Sequence, residues 1–232
     1  MLSVNDIHVA YGSSTVLQGV SLEVQAGEIV SVIGRNGVGK TTLLKAIIGL
    51  LKVRQGSLAF DGDDLTAVPA YERARRGIGY VPQGRLIFPN LTVQENLQIG
   101  ADLDPVKNSG MMDEVLDEFP ILRERLRQRG GTLSGGQQQM LAIARALVGN
   151  PRLLLLDEPS EGIQPNIVHE MEEKIAALNR RHNLSMILVE QNIEFAAALA
   201  KRVYVMDKGL IATEISPDKI MDENIVRNFL AV

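Results

Sequence analysis

The chain has 232 residues, 45% hydrophobic and 22% charged, with a formal net charge of −4 and no cysteine. That length and apolar content support one sizeable core, and the missing cysteine excludes disulfides and thiolate metal sites. Mild acidity without a long basic run excludes the electrostatic footprint of a nucleic-acid binder. His8, His169 and His182 are scattered and make no metal-ligand spacing. The first residues, Met1 to Ile7, lack the basic stretch and apolar core of a signal peptide, and the longest apolar runs are only strand-sized. Any work at a membrane is therefore expected to depend on a partner.

Taken in order, residues 3 to 33 read as short strands. Ile7, Val9 and Tyr11 alternate, Gly12-Ser13-Ser14 turns the chain, and Val20, Leu22 and Val24 alternate again before Gly27. Val30, Val32 and Ile33 read as a buried strand end. A glycine-rich turn follows, and then a helix with Leu43, Leu44, Ile47 and Ile48 on its apolar side and Gly49 near its stop. Ser57 to Phe60 with Asp61-Gly62-Asp63 predicts a hairpin, Pro69 to Arg76 a short exposed helix, and Ile78 to Pro82 another strand.

The texture then changes. Residues 84 to about 150 carry helical patterns over Thr92–Ile99, Met111–Phe119, Ile121–Arg127 and Gln137–Val148, with Thr92 and Glu95 spaced as a capping box. At Arg152 the α/β pattern returns. Leu153 to Leu156 predicts a strand buried on both faces. A helix over Ile167–Asn179, a strand over Met186–Val189 and a helix over Ile193–Lys201 follow. Val203 to Met206, the Asp207-Lys208-Gly209 turn and a last short strand lead to one or two short helices over 217–230.

The chemistry is concentrated in Gly34-Arg35-Asn36-Gly37-Val38-Gly39-Lys40-Thr41-Thr42, placed between strand and helix. Its glycines let the backbone curl so that several N–H groups face one anion. Lys40 adds a point charge toward the outer phosphates, and the Thr41 hydroxyl is placed to ligate Mg²⁺. Asp157 ends the leucine strand, where a metal ion beside a phosphate loop would be held, and Glu158 can polarise a water in line with the terminal phosphate. Leu133-Ser134-Gly135-Gly136-Gln137 predicts a second helix end open to phosphate, with Ser134 as its cap. An ordinary Ser-Gly-Gly cap would look the same. Two phosphate-grasping surfaces in one chain make most sense if the second serves a nucleotide on another subunit.

The phosphate loop, Gln83, Leu133–Gln137 and Leu153–Glu158, in this order, resemble an ABC-type ATPase subunit over nearly the whole chain. The resemblance implies an α/β fold: a P-loop ATPase core with an N-terminal antiparallel β arm and an inserted helical subdomain. One ABC ATPase domain is expected over 1–232. The arm and first part of the core take 1–83, the helical insert 84–150, and the second part with C-terminal helices 151–232. The resemblance also implies ATP and Mg²⁺ as ligands, with Tyr11 on the adenine and Gln83 sensing Mg²⁺ and the attacking water. Ser134, Gly135 and Gly136 would bind the γ-phosphate of the opposing subunit's ATP, and Glu158 would be the catalytic base. Read from the residues alone, Tyr11 fits a core strand equally well and Gln83 a plain loop.

Two departures stand out. Glu161-Gly162-Ile163-Gln164 replaces the family's usual Ser-Ala-Leu-Asp stretch, and Gln191 stands where the family has a histidine on the γ-phosphate. A glutamine amide donates to a phosphate oxygen but carries no proton charge. Val189-Glu190-Gln191-Asn192 and Gly77 to Arg85 with Phe88-Pro89 resemble the second, shorter ATPase of bacterial importers for branched-chain amino acids or for urea and short amides. Gly34-Arg35-Asn36-Gly37 and Ser160 to Pro165 lean toward the urea and amide branch.

The implied partners are a second ABC ATPase, two membrane permease subunits docking near Leu86–Leu91, and indirectly a periplasmic solute-binding protein. The implied place is the cytoplasmic face of the inner membrane. The alternative for Leu86, Ile87, Phe88, Pro89 and Leu91 is a local satellite core. The alternative function is the ATPase of another ABC transporter, an exporter or one for a different solute, or a soluble ABC ATPase outside transport.

Overall fold

The computed structural model describes residues 1–103, 110–222 and 229. An N-terminal antiparallel sheet forms from β1 (Leu2–Tyr11), β2 (Ser14–Val24), β4 (Gln55–Phe60) and the two-residue β5 (Asp63–Asp64), in the order β2-β1-β4-β5. The expected short strands are thus one long hairpin, with Leu2 opposite Val24 and Val4 opposite Leu22. Register shifts after Val4, Ile7 and Val9 bend it, as bulges do.

The second sheet contains β3 (Ile29–Ile33), β6 (Ile78–Val81), β7 (Leu153–Asp157), β8 (Ser185–Glu190), β9 (Arg202–Asp207) and β10 (Leu210–Ile215). Its order is β10-β9-β3-β8-β7-β6, parallel except for the β9–β10 hairpin. The register sets Ile33 beside Glu190, Asp157 beside Val189 and Val81 beside Leu156, so four strands end together on one side. That edge is where ligands of open α/β sheets are held.

Strand alternation divides the core between two faces. Val30, Val32, Leu153, Leu155, Ile187 and Val189 pack toward the antiparallel sheet and α1 (Lys40–Ile48). Leu154, Leu156, Met186 and Leu188 face the opposite way. There they meet α7 (Pro165–His182) and the helices that lie between β6 and β7 in the chain. Those are α3 (Val93–Ala101), α4 (Met111–Glu118), α5 (Pro120–Arg123) and α6 (Gly135–Leu147). Val93, Leu97, Leu122, Leu141 and Ile143 of these helices share one apolar cluster with the sheet and with Met171, Ile175 and Leu178 of α7. A smaller cluster under α8 (Ile193–Leu199) joins Ile33, Ala196, Val203 and Val205.

Several elements correct the sequence reading. The helix expected over Ile121–Arg127 is a single turn at α5, because the next residues leave it to pair with α3. Val93 N–H donates to Gln128 O at 2.9 Å and Gln94 N–H to Leu126 O at 3.0 Å. The exposed helix expected over Pro69–Arg76 forms as α2 (Ala70–Arg75) but buries Arg73, which is only 2% exposed. Its guanidinium donates to Ala46 O (2.9 Å), Ile47 O (2.8 Å) and Val68 O (2.7 Å), and so ties α2 to the last turn of α1, where Ala46 O also accepts from Gly49 N–H at 3.2 Å. Gly49 stops α1 in the left-handed region at φ 87°. Of the short helices expected over 217–230, Pro217–Lys219 forms one 3₁₀ turn, and residues 223–228 and 230 lie outside the described residues.

Candidate nucleotide site

The loop between β3 and α1 holds Gly34, Gly37 and Gly39 at φ 154°, 79° and 114°. A side chain at Gly39 would come within 2.9 Å of Leu17, so the turn needs both the freedom and the small size of glycine. Gly39 is the N-cap of α1 and offers no side chain to the first-turn N–H groups, which stay available to an anion. Arg35, Asn36 and Gly37 are exposed at the rim, while Val38 and Thr42 are buried.

Lys40 lies inside this turn, 5% exposed. Its Nζ donates to Gly34 O at 2.7 Å and Arg35 O at 2.9 Å, and stands 3.8 Å from Glu158 Oε1. Burial pushes the Lys40 pKa down, and the Glu158 and Asp157 carboxylates pull it back. The Thr41 hydroxyl donates to Asp157 Oδ1 at 3.0 Å, and the Tyr80 hydroxyl donates to Oδ2 at 3.3 Å. Burial raises the Asp157 pKa and these two hydroxyls oppose the rise. Tyr80 is itself held well above the usual phenol value, by burial first and then by Asp157.

Glu158 follows β7 at φ 48°, a left-handed backbone that turns its carboxylate back over the loop. Two amides hold it. Gln191 Nε2, from beyond β8, donates to Oε1 at 2.8 Å, and Gln83 Nε2, from beyond β6, donates to Oε2 at 3.1 Å. The same Gln83 nitrogen lies 2.9 Å from Glu161 Oε2. Asn36, Gly37, Lys40, Thr41, Gln83 and Glu158 line a cavity of about 310 Å³. The phosphate loop, Asp157, Glu158, Gln83 and Gln191 are thus brought together.

Two expected contributors stand apart from that cavity. Tyr11, at the end of β1, is 48% exposed, which rejects the core-strand alternative. Ser134 caps α6, where its Oγ accepts from Gln137 N–H at 3.4 Å and Gln137 Oε1 accepts from Ser134 N–H at 3.1 Å. The expected Ser134 cap is thus present as a reciprocal box with Gln137, and the Gly135 and Gly136 N–H groups lie outside that box. Gly135 and Gly136 have a packing role as well. A side chain at Gly136 would come within 2.6 Å of Ile167, and one at Gly135 within about 3.1 Å of the Arg85 guanidinium.

Three polar neighbours escaped the sequence reading: Tyr80, Glu161 and Arg85. Arg85 donates to Gln138 Oε1 at 3.3 Å and lies 3.5 Å from Gly162 O, and so links the segment after Gln83 to α6 and to the loop after Glu158. Tyr80 carries no local signal, since only the β6–β7 pairing sets it beside Asp157. Gly84, Arg85 and Leu86 at successive positive φ (78°, 69°, 44°) mark a strained segment that composition does not announce.

The model of the ABC transporter family matches residues 17–161, well over half of the chain. The high-affinity branched-chain amino acid transport ATP-binding protein BraG of Pseudomonas aeruginosa is 47% identical over 212 residues, 91% of each chain. The lipopolysaccharide export system ATP-binding protein LptB of Haemophilus influenzae is 38% identical and covers 99% of this chain and 97% of its own length. Among solved structures, a nucleotide-free ATP-binding cassette from an ABC transporter superposes with a TM-score of 0.88 at 27% identity, covering 97% of both chains. Similarity therefore extends to a branched-chain amino acid transport protein and a lipopolysaccharide export protein alike, over the full α/β core that carries the phosphate loop. The chain belongs to the ABC transporter family and is an ATP-binding, ATP-hydrolysing subunit of that class.

Proposed function

We propose that the chain hydrolyses ATP in a head-to-tail pair with a second ABC ATPase, with Glu158 as the base that takes the proton of the attacking water. The observation that carries this reading is the Glu158 carboxylate, fixed by Gln191 and Gln83 at the mouth of the Lys40 loop. The loop N–H groups and Lys40 bind the phosphates and stabilise negative charge as it grows. Lys40 exchanges its contacts with Gly34 O and Arg35 O for phosphate oxygens. Gln191, as a neutral amide, orients Glu158 without titrating. Tyr11 offers its exposed ring to the adenine, and Ser134–Gly136 reach the nucleotide of the opposing subunit.

Thr41 Oγ1 and Asp157 Oδ1, two hard oxygens 3.0 Å apart, fit Mg²⁺, with Gln83 Oε1 as a third candidate. Among the described residues no group of three or more His, Cys, Asp or Glu could hold a metal ion. That suits a magnesium ion held largely by water and substrate oxygens. Bound there, it would neutralise charge on the outer phosphates.

The partner surface follows from the same reading. Leu86 and Phe88 are exposed at 64% and 44%, whereas Ile87 packs against the core, so only part of the 86–91 segment could be satellite core. Beside them Leu50, Tyr71, Ile99 and Leu103 line an apolar groove of about 410 Å³ that also contains Arg145. Arg145 stacks over Phe88 at 5.1 Å and donates to Leu86 O at 2.8 Å, and its Nη1 is buried without an acceptor. A permease helix presenting apolar side chains and one acceptor suits this groove. Among the described residues no helix is long and apolar enough to cross a membrane, so such a dock would hold the chain at the cytoplasmic face.

For the cargo, relatives named for branched-chain amino acid transport and for lipopolysaccharide export both match nearly the whole chain. An importer of branched-chain amino acids or urea and short amides is therefore read from Val189–Asn192 and Gly77–Arg85, with the ATPase of another ABC transporter, an exporter included, as the second reading. Affinity purification from native membranes in mild detergent tests it. Two permeases, a longer ATPase and a periplasmic binding protein are expected, and that binding protein is then titrated with urea, amides and leucine. Recovery of an export-type membrane pair would instead favour the second reading.

A further inference from the structure

Glu190, the last residue of β8, is 2% exposed and carries no role in the chemistry above. Its Oε1 accepts from Ser160 N–H at 2.9 Å, and its Oε2 accepts from Gln191 N–H at 3.1 Å and Asn192 N–H at 3.3 Å. Both oxygens are thus acceptors toward backbone from two loops 30 residues apart in the chain. Ser160 lies two residues beyond Glu158, and Gln191 holds Glu158 Oε1. Burying a carboxylate is expensive unless every lone-pair direction is used. Burial does push the Glu190 pKa up, while the surrounding N–H donors pull against it.

The turn after β8 does not need this residue for helix capping. The Asn192 side chain caps α8 by itself, accepting from Phe195 N–H at 3.1 Å. What Glu190 adds is the tie between the loop that presents Glu158 and the residue that orients it.

We propose that Glu190 is a positioning residue for hydrolysis: its carboxylate clamps Ser160 to the Gln191-Asn192 turn, which fixes Glu158 and Gln191 relative to each other. The inference rests on the reading of Glu158 as the base. The loop that binds the phosphates belongs to β3 and α1, outside the clamp, so the clamp is expected to act on turnover far more than on nucleotide affinity. A base displaced by a fraction of an ångström loses rate without losing substrate.

The test measures ATP turnover on the full chain, alone and in its membrane complex, together with affinity for a fluorescent ATP analogue. Glu190→Ala is expected to lower kcat about 10- to 100-fold while KM and analogue affinity stay within about twofold. Glu190→Gln keeps one acceptor and should recover part of that rate. In combination with Gln191→Ala the losses should be far from multiplicative, since both act through Glu158. Unchanged kcat, a KM that rises in step with the loss of kcat, or multiplicative losses would overturn the clamp. If Glu190→Ala fails to fold, Glu190→Gln and its combination with Gln191→Ala carry the same test. Glu158→Gln separates the two levels. Turnover surviving there removes the base and the clamp with it, whereas turnover abolished there but intact in the Glu190 variants removes only the clamp.

Discussion

Two helices of this chain begin in glycine-rich turns suited to phosphate, and they are built in opposite ways. The N-cap of α1 is Gly39, which has no side chain, and the helix leaves its first N–H groups to whatever enters the turn. The N-cap of α6 is Ser134, which closes a capping box with Gln137 and so completes part of its own end. The first end adjoins Lys40, Thr41, Asp157 and Glu158, whereas Ser134, Gly135 and Gly136 do not line the cavity in front of it. On the proposed reading, the α1 end keeps its donors for the nucleotide it cleaves, whereas the α6 end, which would complete another subunit's site, is stable by itself.

That contrast can be broken by mutation. The largest effect belongs to the α1 side: Glu158→Gln should lower turnover by about 10²- to 10⁴-fold while ATP still binds the chain. Rapid hydrolysis in single-turnover assays would show that another group takes the proton. Next, Ser134→Ala should lower turnover of the assembled pair about 10²-fold through loss of a hydroxyl donor to the opposing phosphate. ATP affinity of the isolated chain should not move. A parallel loss of that affinity would mean that both helix ends serve the same nucleotide.

Arg73→Ala probes the other end of α1. Its loss removes the guanidinium bonds to Ala46, Ile47 and Val68, though Ala46 O keeps its bond from Gly49 N–H, and should destabilise the fold by about 2–4 kcal/mol in urea unfolding. A change under about 0.5 kcal/mol would show that water replaces the guanidinium.

The smallest expected change concerns pH. Gln191 cannot titrate, but Gln191→His introduces an imidazole whose ordinary pKa is about 6.5. The protonated ring no longer accepts at either nitrogen but pairs more strongly with Glu158, which weakens the base. Turnover of the variant should therefore fall by a few-fold as pH drops through about 6.5, relative to the same measurement on the parent chain. Superimposable profiles would place residue 191 out of reach of the reacting groups.

The phosphate loop was legible because its machinery is local. Gly34 to Thr42 contain the turn, the charge and the hydroxyl within nine consecutive residues, and the structure forms that turn between β3 and α1. The Leu153–Leu156 run likewise announced a strand buried on both faces, with Asp157 at its end. Contacts that need strand order were not legible. Tyr80 meets Asp157 across 77 positions, Gln83 meets Glu158 across 75, and Arg73 reaches back to α1 from a helix whose polar sequence reads as solvent-facing. At Ser134 the cap was legible in the sequence, but its reciprocal bond with Gln137 was not separable there from the glycines beside it. Half of Gly136's reason is the Ile167 side chain that it faces.

The apolar cluster that joins α3, α4, α5 and α6 to β7, β8 and α7 has a consequence for anyone who would recombine such subunits. A cut at residues 84 and 150 would cross a packed interior, not a hinge, and the excised piece would leave with half a core. Chimaeras that exchange the helices between uptake and export ATPases would therefore need to carry Met171, Ile175 and Leu178 of α7 as matched passengers, or accept a mispacked seam beneath the leucine strand.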